Sequence, residues 1–263
     1  MQVNRQKALE FVFPAIALGL ALVAWEAAVR YFEVPTFILP APSLILITLI
    51  KDWGTLSSSL MVTLTITLEA LGLAVVGGVA LAILFAQWRI VERAFFPFAV
   101  VMQVTPIVAI APLLLIYLSA NAAVLVCAFL VAFFPILANT TLGLSSADHN
   151  LLDLFQLCRA SRWQQLILLR LPSALPYFLG GLRIGGGLAL IGAIVAEIAA
   201  GSAGQGAGLA YRIVESGFRL NIPRMFAALL LISATGIAIY LVLTALSFLL
   251  LRHWHDSARG REA

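Results

Sequence analysis

Long apolar runs in this 263-residue chain are interrupted by a few residues able to hold a polar partner: Glu69, Gln103, Thr105, Asn139, Arg183 and Glu197. A charged or amide side chain inside such a run is costly, so each demands a counterpart or a wet path. Glu69 falls near the middle of its run. It faces such a path, stays neutral by protonation, or pairs with a base from another helix, and all three options stand. Arg183 and Glu197 share one run, toward opposite ends. Gln103, Thr105, Asn139 and Thr140 carry uncharged groups whose ordinary use is hydrogen bonding between helices. Gly181 and Gly185, beside Arg183, match the small-residue spacing that lets helices approach closely, and Gly72, Gly77 and Gly78 can serve likewise.

Bond-making chemistry has little support. His149, His253 and His255 lie in polar connectors or the tail, away from the apolar runs, so no metal set converges. Cys127 and Cys158 sit in different settings, one apolar and one polar, which gives no disulfide framework. The glycines 201, 204, 206 and 208 follow no strand and have the wrong spacing for a nucleotide loop, so they read as a flexible turn. No G-x-x-x-x-G-K-[ST] phosphate loop occurs, and a process driven by ATP needs a separate subunit.

The elements that position these residues follow from composition. Apolar residues make up 62% of the chain and charged ones 11%, and mean hydropathy is +1.05, too little polar surface to clothe a water-soluble globule. The class is an all-α integral membrane protein. Spans of about 20 apolar residues are predicted at about 9–30, 58–86, 96–118, 121–143, 174–200 and 223–251, one membrane domain over 1–263 with its core at about 58–251. With the N-terminus inside, ten of the 16 Lys and Arg fall on the inner side, five on the outer side, and Arg183 within a span. The basic excess marks the cytoplasmic face, so both termini are expected there. The first segment is long for a signal peptide and five spans follow it, so it is read as retained. Glu26 and Arg30 stand four apart and can pair. In the outer connector 31–57, a short helix from Ser43 to about Trp53 is predicted, capped by Ser43.

The connector at about 144–173 reads as two amphipathic helices joined by a bend. Ser146 is the expected cap of the first, with Asp148 in its first turn. Leu151, Leu154, Phe155 and Cys158 form its stripe. The second starts near Ser161 with Trp163, Leu166 and Ile167 on one side. Pro172 and Pro176 are expected to break or redirect the chain into the fifth span. Such a connector either rests on the bundle or docks a partner.

The ordered fragments ILPAPS (38–43), TPIVAIAPLLLIY (105–117), FFPILANT (133–140), ASRW, LPSALPY, GLRI, GLALIG and VAEI resemble the permease subunits of bacterial ABC importers of the sulfonate, taurine, nitrate and pyrimidine-precursor group, over about residues 37–251. The resemblance implies type I importer permease architecture, a bacterial inner-membrane location and no catalytic activity in this chain. It implies cytoplasmic ATPase subunits that bind ATP and Mg, an extracytoplasmic substrate-binding protein, and a second permease copy, taken as identical. No nucleic acid is implied. It also implies that the connector is a coupling helix whose motif, EAA with glycine four residues after the last alanine, falls on Asp153, Leu154, Phe155 and Arg159, followed by Ala160, Ser161, Arg162, Trp163 and Pro172. Asp153 keeps the acid, whereas the two alanines have become bulky and glycine has become Arg159. Either the turn differs here or Arg159 accepts a left-handed backbone at roughly 1 kcal/mol. Small organic solutes or anions are the implied substrates. A carboxylate at Glu69 on the route would repel an anion and favours a neutral or cationic heterocycle. The rival class, a self-sufficient carrier or channel, often shows inverted repeats, and no clear internal repeat is seen.

Overall fold

The computed structural model describes residues 2–201 and 206–252, with side chains from residue 12 on; His253, His255, Arg259, Arg261 and Gly204 lie outside the described residues. All regular elements described are helical. They are α1 (Gln2–Tyr31), α2 (Pro42–Lys51), α3 (Trp53–Gln87), α4 (Arg89–Val104), α5 (Ile107–Tyr117), α6 (Ala120–Ser145), α7 (His149–Leu157), α8 (Arg162–Gln165), a π-helical turn (Leu166–Arg170), α9 (Leu171–Ala200), α10 (Leu209–Phe218) and α11 (Ile222–Leu251). Five helical stretches are long and apolar enough to cross a membrane, and the α4–α5 pair makes a sixth if taken as one broken span. The chain is an all-helical, multi-pass membrane protein.

α6 and α9 form the centre, with α3 against α6 and α11 against α9. Their seam is set by small residues. A Cβ on Gly181 would lie 2.8 Å from the Pro135 carbonyl and from the Asn139 Cβ. One on Gly192 would lie 2.9 Å from the Ala128 Cα. Removing the side chain lets the backbones touch, and dispersion then holds the pair where lipid offers no hydrophobic drive. Leu71, Ile136, Leu179, Leu190 and Ile239 fill the surrounding core.

Two short helices lie at the end away from the α7–α8 connector, and each is capped by a carboxylate from the preceding long helix. Neither α2 nor α10 has a side-chain cap of its own. Glu26 of α1 accepts from the Ser43 N–H at 3.0 Å and the Ser43 hydroxyl at 2.7 Å, and pairs with Arg30 at 2.6 Å. Glu197 of α9 accepts from the Ala210 N–H at 3.0 Å. Acid at a helix start meets the positive end of the dipole and satisfies an orphan donor.

Four sequence-based expectations are corrected. The third span, expected to be continuous over 96–118, is two helices bent by 98° at Thr105–Pro106. Proline removes a donor and forces the preceding residue out of helical backbone, and Thr105 is extended (φ −68°, ψ 125°). The cap of α7 is Asp148, whose carboxylate accepts from the Asn150 N–H at 2.8 Å, whereas the Ser146 hydroxyl turns back to the Gly143 carbonyl. α2 starts at Pro42 with Ala41 as its cap residue, and Ser43 lies inside its first turn. Pro172 and Pro176 do not break the chain: helix runs unbroken from Arg162 to Ala200. A wider π turn, Leu166–Arg170, lies one residue before Pro172, and its changed bonding register makes room for a residue with no N–H to give.

Candidate coupling connector and translocation path

At the connector end, α7 stands almost free of the bundle. None of its residues is buried; Leu152 and Phe155 are half-buried and lean inward. Leu154 is 51% exposed, Leu157 83% and Trp163 61%. Asp153, Cys158, Arg159, Ser161 and Arg162 are exposed too, with Ala160 and Pro172 half-buried. The helix ends in a two-bond cap: the Arg159 N–H donates to the Gln156 carbonyl and the Ala160 N–H to the Phe155 carbonyl, both at 2.9 Å. This cap needs a left-handed residue, ordinarily glycine, and Arg159 adopts it with φ 54°. The turn therefore keeps its shape and Arg159 bears the strain. α8 follows at once through a capping box: the Ser161 hydroxyl accepts from the Gln164 N–H at 3.2 Å, and the Gln164 side chain accepts from the Ser161 N–H at 2.7 Å. The bend between α7 and α8 is thus fixed on both sides, while Leu154, Leu157 and Trp163 stay uncovered among its charged and polar residues.

Along the membrane-embedded part, Gln103 and Thr105 come together. They line a cavity of about 280 Å³ at the α4–α5 break, with Met102, Phe134, Pro135 and Leu188 among its walls. No basic or acidic residue lines it. α4 buries no residue and α5 only Ala111, so this side of the bundle lies open. The other candidates stand apart. Asn139 is half-buried at the α6–α9 seam, its amide donating to the Pro135 carbonyl at 2.8 Å. Thr140 is buried and donates to Ile136. Arg183 points toward α11, its guanidinium 6.0 Å from the centre of the Tyr240 ring. Glu69 is exposed on α3 beside Leu68 and Leu73.

Glu197 is committed elsewhere. It is 4% exposed, and it also accepts from the Thr63 hydroxyl at 2.7 Å. That hydroxyl in turn accepts from the Leu209 N–H at 2.9 Å. Glu197 and Thr63 therefore clamp the start of α10 onto α3 and α9. Gly208 is required there, because a Cβ would collide with the Glu197 carboxylate.

An ion network fastens the same end. Arg212 bonds Glu215 at 2.8 Å and the Ser59 hydroxyl at 2.9 Å, Arg219 reaches Glu215 at 3.0 Å, and Arg224 bonds Asp52 at 2.6 Å. The spacing of Arg212, Glu215 and Arg219 signals their pairing only once a helix over 209–218 is known. Thr63 carried no such signal. The Arg212 hydrogen bond is the main influence holding the Glu215 carboxyl below its ordinary range, with burial opposing it. A depressed folded pKa means that the stabilisation is complete above the unfolded value near 4.3 and is lost as pH falls through the lower folded value. Amide protection across 209–218, taken relative to the intrinsic exchange rate at each pH, should therefore fall selectively below about pH 4, and Glu215→Gln should remove that fall. Protection in the variant that still dropped over the same range would assign the effect elsewhere.

A family profile described as binding-protein-dependent transport system inner membrane component matches residues 74–259. The chain is similar to the riboflavin transport system permease protein RibX of Chloroflexus aurantiacus, 35% identical over 258 residues, 94% of this chain and 93% of that one. It is also similar to the formylaminopyrimidine transport permease protein ThiX of Halalkalibacterium halodurans, 32% identical over 90% of this chain and 94% of the other. In fold it matches a chain of an amino acid ABC transporter crystallised with histidines, with a TM-score of 0.62 at 20% identity, covering 79% of this chain and 97% of that one.

Proposed function

Because the chain belongs to the binding-protein-dependent transport inner-membrane components, the permeases of bacterial ABC importers, we propose that its α7–α8 bend is the coupling element on which a separate cytoplasmic ATPase docks. The observation that carries this is the uncovered apolar face of Leu154, Leu157 and Trp163 on an otherwise well-capped bend. A rigid bend with an apolar surface suits a protein cleft, whereas water would leave that surface unsatisfied. ATP and Mg belong to the docked subunit. A soluble binding protein brings substrate to the α10 end, and both termini lie with the connector in the cytoplasm, as the distribution of Lys and Arg favours.

Two copies, taken as identical, place their open α4–α5 sides toward a common axis. ATPase closure then moves the connectors and alternates the access of the path. The path residues in this reading are Gln103 and Thr105. Their cavity is apolar with two uncharged polar groups and no base, which suits a neutral heterocycle better than nitrate or a sulfonate. The names of the riboflavin and formylaminopyrimidine relatives point the same way. Glu69 is exposed at mid-span, where lipid would penalise it, so it too is assigned to a wet or partner-covered face. Glu69→Gln should change uptake of the cognate heterocycle by about threefold or more, the loss of one polar contact. Unaltered KM and maximal rate would place Glu69 outside the path.

Cys158 provides the test, because it is exposed on the bend while Cys127 is buried. A membrane-impermeant thiol reagent should label Cys158 only in inverted vesicles. A thiol crosslinker in native membranes should join it to a nucleotide-hydrolysing subunit. Labelling from outside intact cells, or no such adduct, would overturn the reading.

A further inference from the structure

Where α3 ends, α4 begins, α6 ends and the π turn passes, two adjoining cavities of about 530 and 460 Å³ share Ala86, Arg89 and Arg170. Arg93 lines the first and Arg162 the second. Among the described residues none of these four guanidinium groups is in an ion pair; Arg170 reaches only the Ala86 carbonyl, at 3.4 Å. Glu92 is the one acid in the lining of either cavity. Like charges gathered in one cleft repel unless an anion sits among them. Two further features ask for acceptor oxygens. The Thr141 hydroxyl, in the wall of the first cavity, is buried and has no hydrogen-bond partner. α4 opens at the cleft with no side-chain cap, so its first N–H groups are unmet by any side chain, although Glu92 in its first turn faces part of the dipole.

We propose that this cleft binds a phosphate group, and that a membrane phospholipid supplies it. Arg89, Arg93 and Arg170 would receive the headgroup oxygens, with Thr141 donating from the wall. The lipid source follows from the other wall, which is apolar at Phe96 and Pro97 and continues along α4 into exposed Phe98 and Val101. A free anion has no use for that surface, whereas acyl chains do. Basic pockets between spans are a known means of holding anionic headgroups. The proposal requires only the membrane setting and does not depend on ATPase docking, so its failure leaves the coupling reading untouched.

The test uses the full-length protein, purified and delipidated in detergent, with adducts read by native mass spectrometry. Phosphatidylglycerol should bind about tenfold more tightly than phosphatidylcholine, and Arg89→Gln with Arg170→Gln should abolish that preference. Arg89→Lys with Arg170→Lys should retain much of it. If the glutamine pair does not fold, Thr141→Val should still weaken phosphatidylglycerol binding by about threefold, the loss of one hydrogen bond. Equal affinity for the two lipids, or a preference unmoved in the folded variants, overturns the site. Inorganic phosphate binding as tightly as phosphatidylglycerol overturns the lipid source.

Discussion

Glu197→Ala will release α10 from the bundle and destabilise the folded protein by about 2–4 kcal/mol. The carboxylate serves two buried donors, the Thr63 hydroxyl and the Ala210 N–H, and leaving each unmet costs about 1–3 kcal/mol. Removing a buried acid also removes its own desolvation penalty, which offsets part of that loss. Glu197→Gln keeps the size but turns a donor toward one of the two donors, so about half the effect is expected. Gly208→Ala should resemble Glu197→Ala, because the added Cβ displaces the carboxylate. Thermal unfolding of the purified protein measures the loss, and limited proteolysis near residue 208 locates it. An alanine variant as stable and as protected as the parent would contradict the clamp.

The second large effect concerns the connector. Leu154→Asp with Leu157→Asp will remove uptake while leaving the permease folded. Leu157 is 83% exposed and Leu154 51%, so the fold loses little packing. A docked cleft would meet two buried, unpaired charges, and a loss of about 2–4 kcal/mol of docking is expected, which weakens affinity by about 30- to 1000-fold. Co-purification of the ATPase reads this directly. Arg159→Gly provides the opposite control. It relieves about 1 kcal/mol of left-handed strain and should keep or improve association. Full uptake by the aspartate pair, or lost association in the glycine variant, would refute docking at this bend.

Hydropathy made the long helices legible, because a bilayer demands apolar length and little else decides it. Breaks were harder to read. Pro106 broke the third span, whereas Pro172 and Pro176 broke nothing, and one residue type gave opposite outcomes. The difference lies in the neighbouring turn: a π turn precedes Pro172, and Thr105 before Pro106 is held extended. Both caps fell two residues from the expected position, since Ser43, Ser146 and Asp148 are all competent and only the chain's path chooses among them. The left-handed bend at Arg159 was foreseeable only through resemblance, because arginine itself gives no hint of it. Among the path candidates, Gln103 and Thr105 do share a cavity. Glu197 looked alike in sequence, yet its partner Thr63 lies 134 positions away, a distance no local pattern spans. The arginines of the α3–α4 cleft were visible only as a topology signal until the fold gathered them.

The helix from Arg162 to Ala200 has 39 residues and spans about 58 Å at 1.5 Å each. Its first turn is locked by Ser161 and Gln164, and its last carries Glu197, gripping α10. The π turn at Leu166–Arg170 and the glycines from Gly180 to Gly187 are where so long a strut can flex. Whatever moves its near tip therefore reaches α10 only as far as those two stretches stay stiff.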